Sequence, residues 1–134
     1  MLNTGNAFLS KMLPALEDGD PLGVPEEEIR SPIDVVTLGQ ALMELGRNDF
    51  QGVIHLSNND IFNRLEMVQR IAKHAGFTKA NIHANDPSKI PDRAPRPRDV
   101  SFLNDLARAS LETEFVSLEA AFDRVMDWDK RLHG

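Results

Sequence analysis

Three features of the 134-residue sequence predict a small α+β fold, a mixed domain of helices and short strands. Apolar residues recur at helical spacing in about five segments, and the runs are bounded by glycines, prolines or small polar caps. Three or four other apolar stretches are too short for helices and sit between Gly, Pro, Asn and Asp turns, as short strands do. Strand–helix repeats are too few for a doubly wound parallel sheet, so the pattern reads as one layered unit over residues 1–134.

The first helix is expected to run to about Asp18, capped by Asn3 or Asn6, with Phe8, Met12, Leu13 and Leu16 as its stripe and Gly19 as its end. Pro14 either kinks this helix or marks its first turn. Residues 20–32 read as turn, short strand and turn, with Glu26-Glu27-Glu28 as a solvated edge. Residues 34–45 read as a second helix that buries Val35, Leu38, Leu42 and Leu45 and ends at Gly46. Gly52-Val53-Ile54-His55-Leu56-Ser57 reads as a short buried strand, followed by an Asn58-Asn59-Asp60 turn.

Residues 64–75 form the clearest helix, with Leu65, Val68, Ile71, Ala72 and Ala75 in register. Asn63 is its expected cap and Glu66 completes a capping-box-like pattern. Residues 77–99 are irregular apart from an edge strand over 80–84, and residues 100–103 are briefly extended. A short helix over 104–111 follows. Ser117 then caps a last helix striped by Leu118, Ala121, Phe122, Val125 and Met126 and extended by Trp128 and Leu132.

Composition narrows the function classes. A net charge of −6 argues against general binding to nucleic acid or anionic membranes. The absence of cysteine excludes disulfides, thiolate metal sites and a cysteine nucleophile. No apolar run approaches the roughly 18 residues of a membrane span, and no basic, apolar leader opens the chain, so the expected location is cytoplasmic. Neither G-x-G-x-x-G, the P-loop pattern nor a G-x-S-x-G elbow occurs. Tyrosine is absent, which rules out a Tyr-x-x-x-Lys acid–base pair within the chain. His55, His74, His83 and His133 are not spaced as metal ligands, and His55 reads as a structural residue of its strand.

Two basic features remain. Arg30 stands just before a strand-to-helix junction, where its planar fork suits a phosphate or a base. The other reading of Arg30, which the residues alone favour, is a surface pairing with residues 26–28 or Asp34. The run Arg93-Ala94-Pro95-Arg96-Pro97-Arg98-Asp99-Val100-Ser101 is the second. Its prolines keep it out of helix and sheet, so it is either an anion-binding display of arginines or a solvated linker.

These features, in this order, resemble a known family. Asn6-Ala7-Phe8-Leu9-Ser10-Lys11-Met12-Leu13 with Gly19-Asp20-Pro21-Leu22 is similar to its helix and G-x-P-L turn. Arg30-Ser31-Pro32-Ile33-Asp34-Val35-Val36-Thr37-Leu38-Gly39-Gln40-Ala41 resembles R-x-P-x-x-V-x-D-L-A-x-A, with Thr37 and Gly39 in place of Asp and Ala. Residues 52–57, 66–76, 96–102 and 117–122 resemble four further motifs in order: G-x-Y-H-L-A/S, E-x-A-x-x-I-A-x-x-x-G, R-P-x-D/N-x-x-L and S-L-E-E-A-L. Together they resemble the C-terminal, substrate-binding part of the extended short-chain dehydrogenases/reductases, and within these the dTDP-4-dehydrorhamnose reductase-like sugar-nucleotide reductases and epimerases.

The resemblance implies the substrate lobe of such an enzyme without its Rossmann half. It implies binding of a nucleotide-diphospho-sugar through Arg30 and Arg96, with Arg93 and Arg98 beside them. It also implies that NAD(P) and the acid–base pair belong to an N-terminal domain outside this chain. The lobe is then not catalytic alone, and its partner is a Rossmann-domain half or another protein chain. The alternative is a non-catalytic interaction or regulatory module of the same family, docking through an apolar face that includes Phe8, Met12 and Met43.

Overall fold

The computed structural model describes residues 8–133. Helix α1 spans Phe8–Asp18 and continues through Pro14, so the proline does not mark its first turn. Asn3 and Asn6, the expected caps, lie outside the described residues. Gly19 ends the helix at φ +75°, a backbone conformation that only glycine adopts without cost. Strand β1 (Leu22–Pro25) and strand β2 (Ile29–Arg30) follow, and then helix α2 (Val35–Leu45). Asp34 caps α2 by accepting the N–H groups of Val36 and Thr37 at 3.1 and 2.8 Å.

Strand β3 (Phe62–Asn63) leads directly into α3 (Arg64–His74), where Asn63 accepts the Glu66 N–H at 2.8 Å. Strand β4 (Ile82–Asn85), a single 3-10 turn at Pro87–Lys89, α4 (Asp105–Ser110) and α5 (Leu118–His133) complete the order. β1 pairs in parallel with β4, Leu22 opposite Ile82 and Pro25 opposite Asn85. β2 pairs antiparallel with β3, Ile29 opposite Asn63, and Ile29 also bridges in parallel to Asp99. The expected edge strand over 80–84 is therefore β4, shifted along the chain by one to two residues.

Two apolar clusters hold these elements together. The larger joins Met12 and Leu16 of α1, Val24, Phe62, α3 (Met67, Val68, Ile71, Ala72) and Leu118 and Phe122 of α5. The smaller joins Ala41, Ala107, Leu111 and Phe115, with Ile33, Leu45, Ile54 and Leu56 packed against it. Arg70 ties α3 to α5 by a two-pronged pair to Glu119, 2.8 Å on each prong, and lies over the Phe62 ring.

Several expectations are corrected. Residues 52–57 form no strand. The segment has no ladder partner among the described residues, Gly52 bends it at φ +122°, and only Ser57 is fully buried. His55 is exposed and stacks on Phe102, with ring centroids 4.5 Å apart. Helix α2 is rotated from its expected face: Thr37 and Ala41 are buried, while Val35 and Leu42 are 69% and 55% exposed. A hydrogen bond from Arg124 to Thr37 Oγ1 sets this rotation, because it draws a small polar face inward. Met12 belongs to the core, not to an open face, whereas Met43 is exposed. Trp128 and Leu132 carry the α5 stripe beyond the core into solvent.

Candidate functional site

The site is built around β2. Of the three consecutive glutamates, Glu26 and Glu27 are exposed, but Glu28 is only 4% exposed. The expected solvated edge is thus wrong at its third residue. The chain turns over Glu26 and Glu27, and Glu28, just before β2, meets three guanidiniums. Glu28 Oε2 accepts Arg30 at 3.3 Å and Arg64 at 3.1 Å, and Oε1 accepts Arg93. Burial pushes the Glu28 carboxyl up, but hydrogen bonds from Arg93 and Arg64, and their charges, outweigh it and hold the group below the usual carboxylate range.

Arg30 therefore takes the pairing with residues 26–28 that its sequence position allowed. It also does more. Its Nη1 donates to the carbonyl of Ile29 at 2.6 Å and to that of Arg98 at 3.2 Å, and both terminal nitrogens reach the Pro97 carbonyl at 3.4 Å. One guanidinium thus binds Glu28 on one side and the backbone of the arginine–proline run on the other. The run is fixed further by main-chain bonds from the Ile29 N–H to Arg98 O (2.7 Å) and from the Val100 N–H to Ile29 O (3.3 Å). The run is accordingly a docked segment with defined bonds, not a free linker.

Both ends of the run are shaped by turns. Arg93 N–H donates to Ile90 O at 3.4 Å across Pro91 and Asp92, and Asp92 lies at φ 57°. Proline at the second corner with a left-handed third residue is type II turn chemistry. At the other end Asp99 accepts the Ser101 N–H at 2.9 Å and its hydroxyl at 2.7 Å. Those bonds, with the charge of Arg30, hold the Asp99 carboxyl below its ordinary range. Phe102 N–H donates to Ser31 Oγ at 2.8 Å, which seats the stacked His55–Phe102 pair beside the run.

The four arginines singled out from sequence divide into two pairs. Arg30 and Arg93 are half-buried and engaged with Glu28. Arg96 and Arg98 are exposed, and their guanidiniums make no hydrogen bond or ion pair among the described residues. Sequence reasoning missed Glu28 and Arg64. Glu26 and Glu27 form the turn after β1 and Glu28 stands just before β2, so no strand alternation marks it and no local signal separates it from its two neighbours.

A larger concavity of about 1160 Å³ lies elsewhere, between α2 and residues 110–114, and contains none of these four arginines. A smaller apolar pocket of about 320 Å³ runs between α1, α3 and α5. Among the described residues no group of three or more His, Asp or Glu side chains is arranged to hold a metal ion. No helix there is long and apolar enough to cross a membrane.

Comparison with known proteins agrees with this geometry. The model of the RmlD substrate binding domain family matches residues 2–130. No curated protein matches the chain. Among solved structures, dTDP-4-dehydrorhamnose reductase from Bacillus anthracis str. Ames, in complex with NADP, superposes with a TM-score of 0.78 at 23% identity, over 91% of this chain and 43% of that one. The reductase from Clostridium acetobutylicum ATCC 824 gives 0.80 at 17% identity, over 94% and 45%. UDP-N-acetylglucosamine 4-epimerase from Methanobrevibacter ruminantium M1, in complex with UDP-N-acetylmuramic acid, gives 0.67 at 18% identity, over 97% and 41%. The chain therefore spans less than half the length of the solved enzymes that it matches.

Proposed function

From the premise that the chain belongs to the RmlD substrate-binding domain family, we propose that it binds a nucleotide-diphospho-sugar as the substrate lobe of an NAD(P)-dependent sugar-nucleotide reductase or epimerase. One observation carries this reading: the docked arginine–proline run, which leaves Arg96 and Arg98 exposed with their guanidinium donors unspent. A diphosphate offers planar pairs of oxygens that suit such forks, and binding it costs the protein no internal ion pair. Arg30 and Arg93 are engaged with Glu28, and Arg30 fixes the run by its bonds to the Pro97 and Arg98 carbonyls.

The part assigned to this chain is binding and neutralisation, not chemistry. Its strand-to-helix junctions do not suit a dinucleotide pyrophosphate: β2 reaches α2 through Ser31-Pro32-Ile33-Asp34 and β3 enters α3 directly, and neither passes a glycine. NAD(P) would supply hydride chemistry, and we assign it to residues beyond these, as we do the acid–base pair. A Rossmann-type domain, in the same polypeptide or as a second chain, is then the partner. No comparison supports a regulatory module, and Met12, one of the residues on its supposed docking face, is buried.

A titration followed by NMR tests the reading. UDP-glucose and dTDP-glucose at millimolar concentration are expected to shift the side-chain resonances of Arg96 and Arg98. The Arg96→Ala/Arg98→Ala double variant is expected to lose that response while remaining folded. A folded wild-type sample in which neither ligand moves an arginine resonance sinks the proposal.

A further inference from the structure

Glu28 is the carboxylate on which three arginines converge, and it is more deeply buried than any of them. A bare anion site has no use for a negative charge, so its presence needs a reason. Each of its three partners comes from a different part of the chain: Arg30 from β2, Arg64 from the first turn of α3 and Arg93 from the irregular stretch after β4. Arg64 also donates its backbone N–H to Glu28 O at 2.9 Å. Three guanidiniums drawn together without a counter-charge would repel one another.

We propose that Glu28 is a positioning residue: its carboxylate gathers Arg30, Arg64 and Arg93, and thereby holds the run over residues 93–101 in the shape that presents Arg96 and Arg98 to a diphosphate. The inference rests on the sugar-nucleotide reading for its ligand, but not for the anchoring itself. Arg30 is the mechanical link, because the guanidinium that Glu28 holds also binds the carbonyls of Pro97 and Arg98, on either side of the Arg98 amide. Arg93 is the second link, because it begins the run. Glu28 does not touch the ligand. It fixes where the residues that do so stand.

Two measurements on the Glu28→Gln variant test this. Limited trypsin digestion reads the anchoring without any ligand, because the Arg93–Ala94 and Arg98–Asp99 bonds are cleavable while the proline after Arg96 protects that bond. Glu28→Gln is expected to be cut faster at both bonds, on the order of tenfold, the loss that a charge-assisted network implies. Its affinity for UDP is expected to fall by a similar factor. Glu28→Asp, which keeps the charge one methylene short, should recover part of both and serves if the glutamine variant does not fold. Glu119→Gln, which removes the Arg70 pair away from this cluster, should lose stability yet keep wild-type cleavage at these two bonds. Wild-type cleavage in folded Glu28→Gln or Glu28→Asp overturns the proposal, as does UDP affinity that rises when the carboxylate is removed. Faster cleavage in a protein whose wild-type form ignores UDP upholds the anchoring and sinks the ligand reading instead.

Discussion

Arg124 donates a 2.8 Å hydrogen bond to the hydroxyl of Thr37, joining α5 to α2 across 87 residues of sequence. Thr37 is 1% exposed, so its oxygen has no water to fall back on. Thr37→Val keeps the shape and removes the acceptor. Urea denaturation should show a loss of about 1–2 kcal/mol. Thr37→Asp restores the residue usual at this place in the resembling sequences. It should fold and pair with Arg124, leaving the midpoint nearer to wild type than the valine variant does.

Gly39 lies inside α2, and a Cβ built there meets nothing within 4 Å. Glycine in a helix interior costs conformational entropy without return. Gly39→Ala should stabilise the chain by about 0.5–1 kcal/mol in thermal or chemical denaturation. Gly76 gives the opposite outcome. Its surroundings are just as open, but it sits at φ +93°, so Gly76→Ala should destabilise by about 1 kcal/mol through backbone strain alone.

Pro14 is exposed within α1 and has no N–H to give to the helix. Pro14→Ala should therefore raise stability by roughly 1–2 kcal/mol, the helical gain being partly offset by a looser unfolded chain. A midpoint at or below wild type would mean that the ring makes packing contacts worth more than the lost bond.

Acid should unfold the protein through its paired glutamates. The Glu119 carboxyl is held below its ordinary 4.5 by its hydrogen bonds to Arg70, against the opposing effect of burial. Glu28 is lowered too, and so is Glu44, which accepts from the Thr113 hydroxyl and from the N–H groups of Glu112 and Thr113. Below 4.5 the unfolded chain takes up protons on these groups before the folded one does. Their contribution is thus fully present above that value and is lost as pH falls through the lowered folded values. Unfolding followed from pH 6 to pH 2 should show this decline, and Glu119→Gln should make it shallower.

Local signals in the sequence located most elements. Asn63 with Glu66 and Asp34 before α2 are caps whose chemistry acts within three residues, so the pattern alone reveals them. The stripe of α3 was legible because it packs on both α1 and α5. The face of α2 was not, since it is set by Arg124 and leaves Val35 and Leu42 outward, a choice that periodicity cannot express. Residues 52–57 have strand composition but no neighbouring strand among the described residues, and a strand exists only in a pair. At the site, the arginines stand out in the sequence by residue type and spacing. Their division into engaged and exposed pairs does not, because it depends on Glu28, whose partners lie up to 65 residues away.

The parallel pairing of β1 with β4 sets the order in which the molecule can be assembled. Leu22 meets Ile82 only after α2, β3 and α3 have been threaded between them, and Ile29 waits for Asp99. Closing loops of about 60–70 residues is entropically costly and is repaid only by contacts made at the end. During synthesis α2 emerges long before α5, against which it packs, and the docked run cannot form until the ribosome has passed residue 101. The bonds that dock residues 93–101 on β2 are therefore made late in folding.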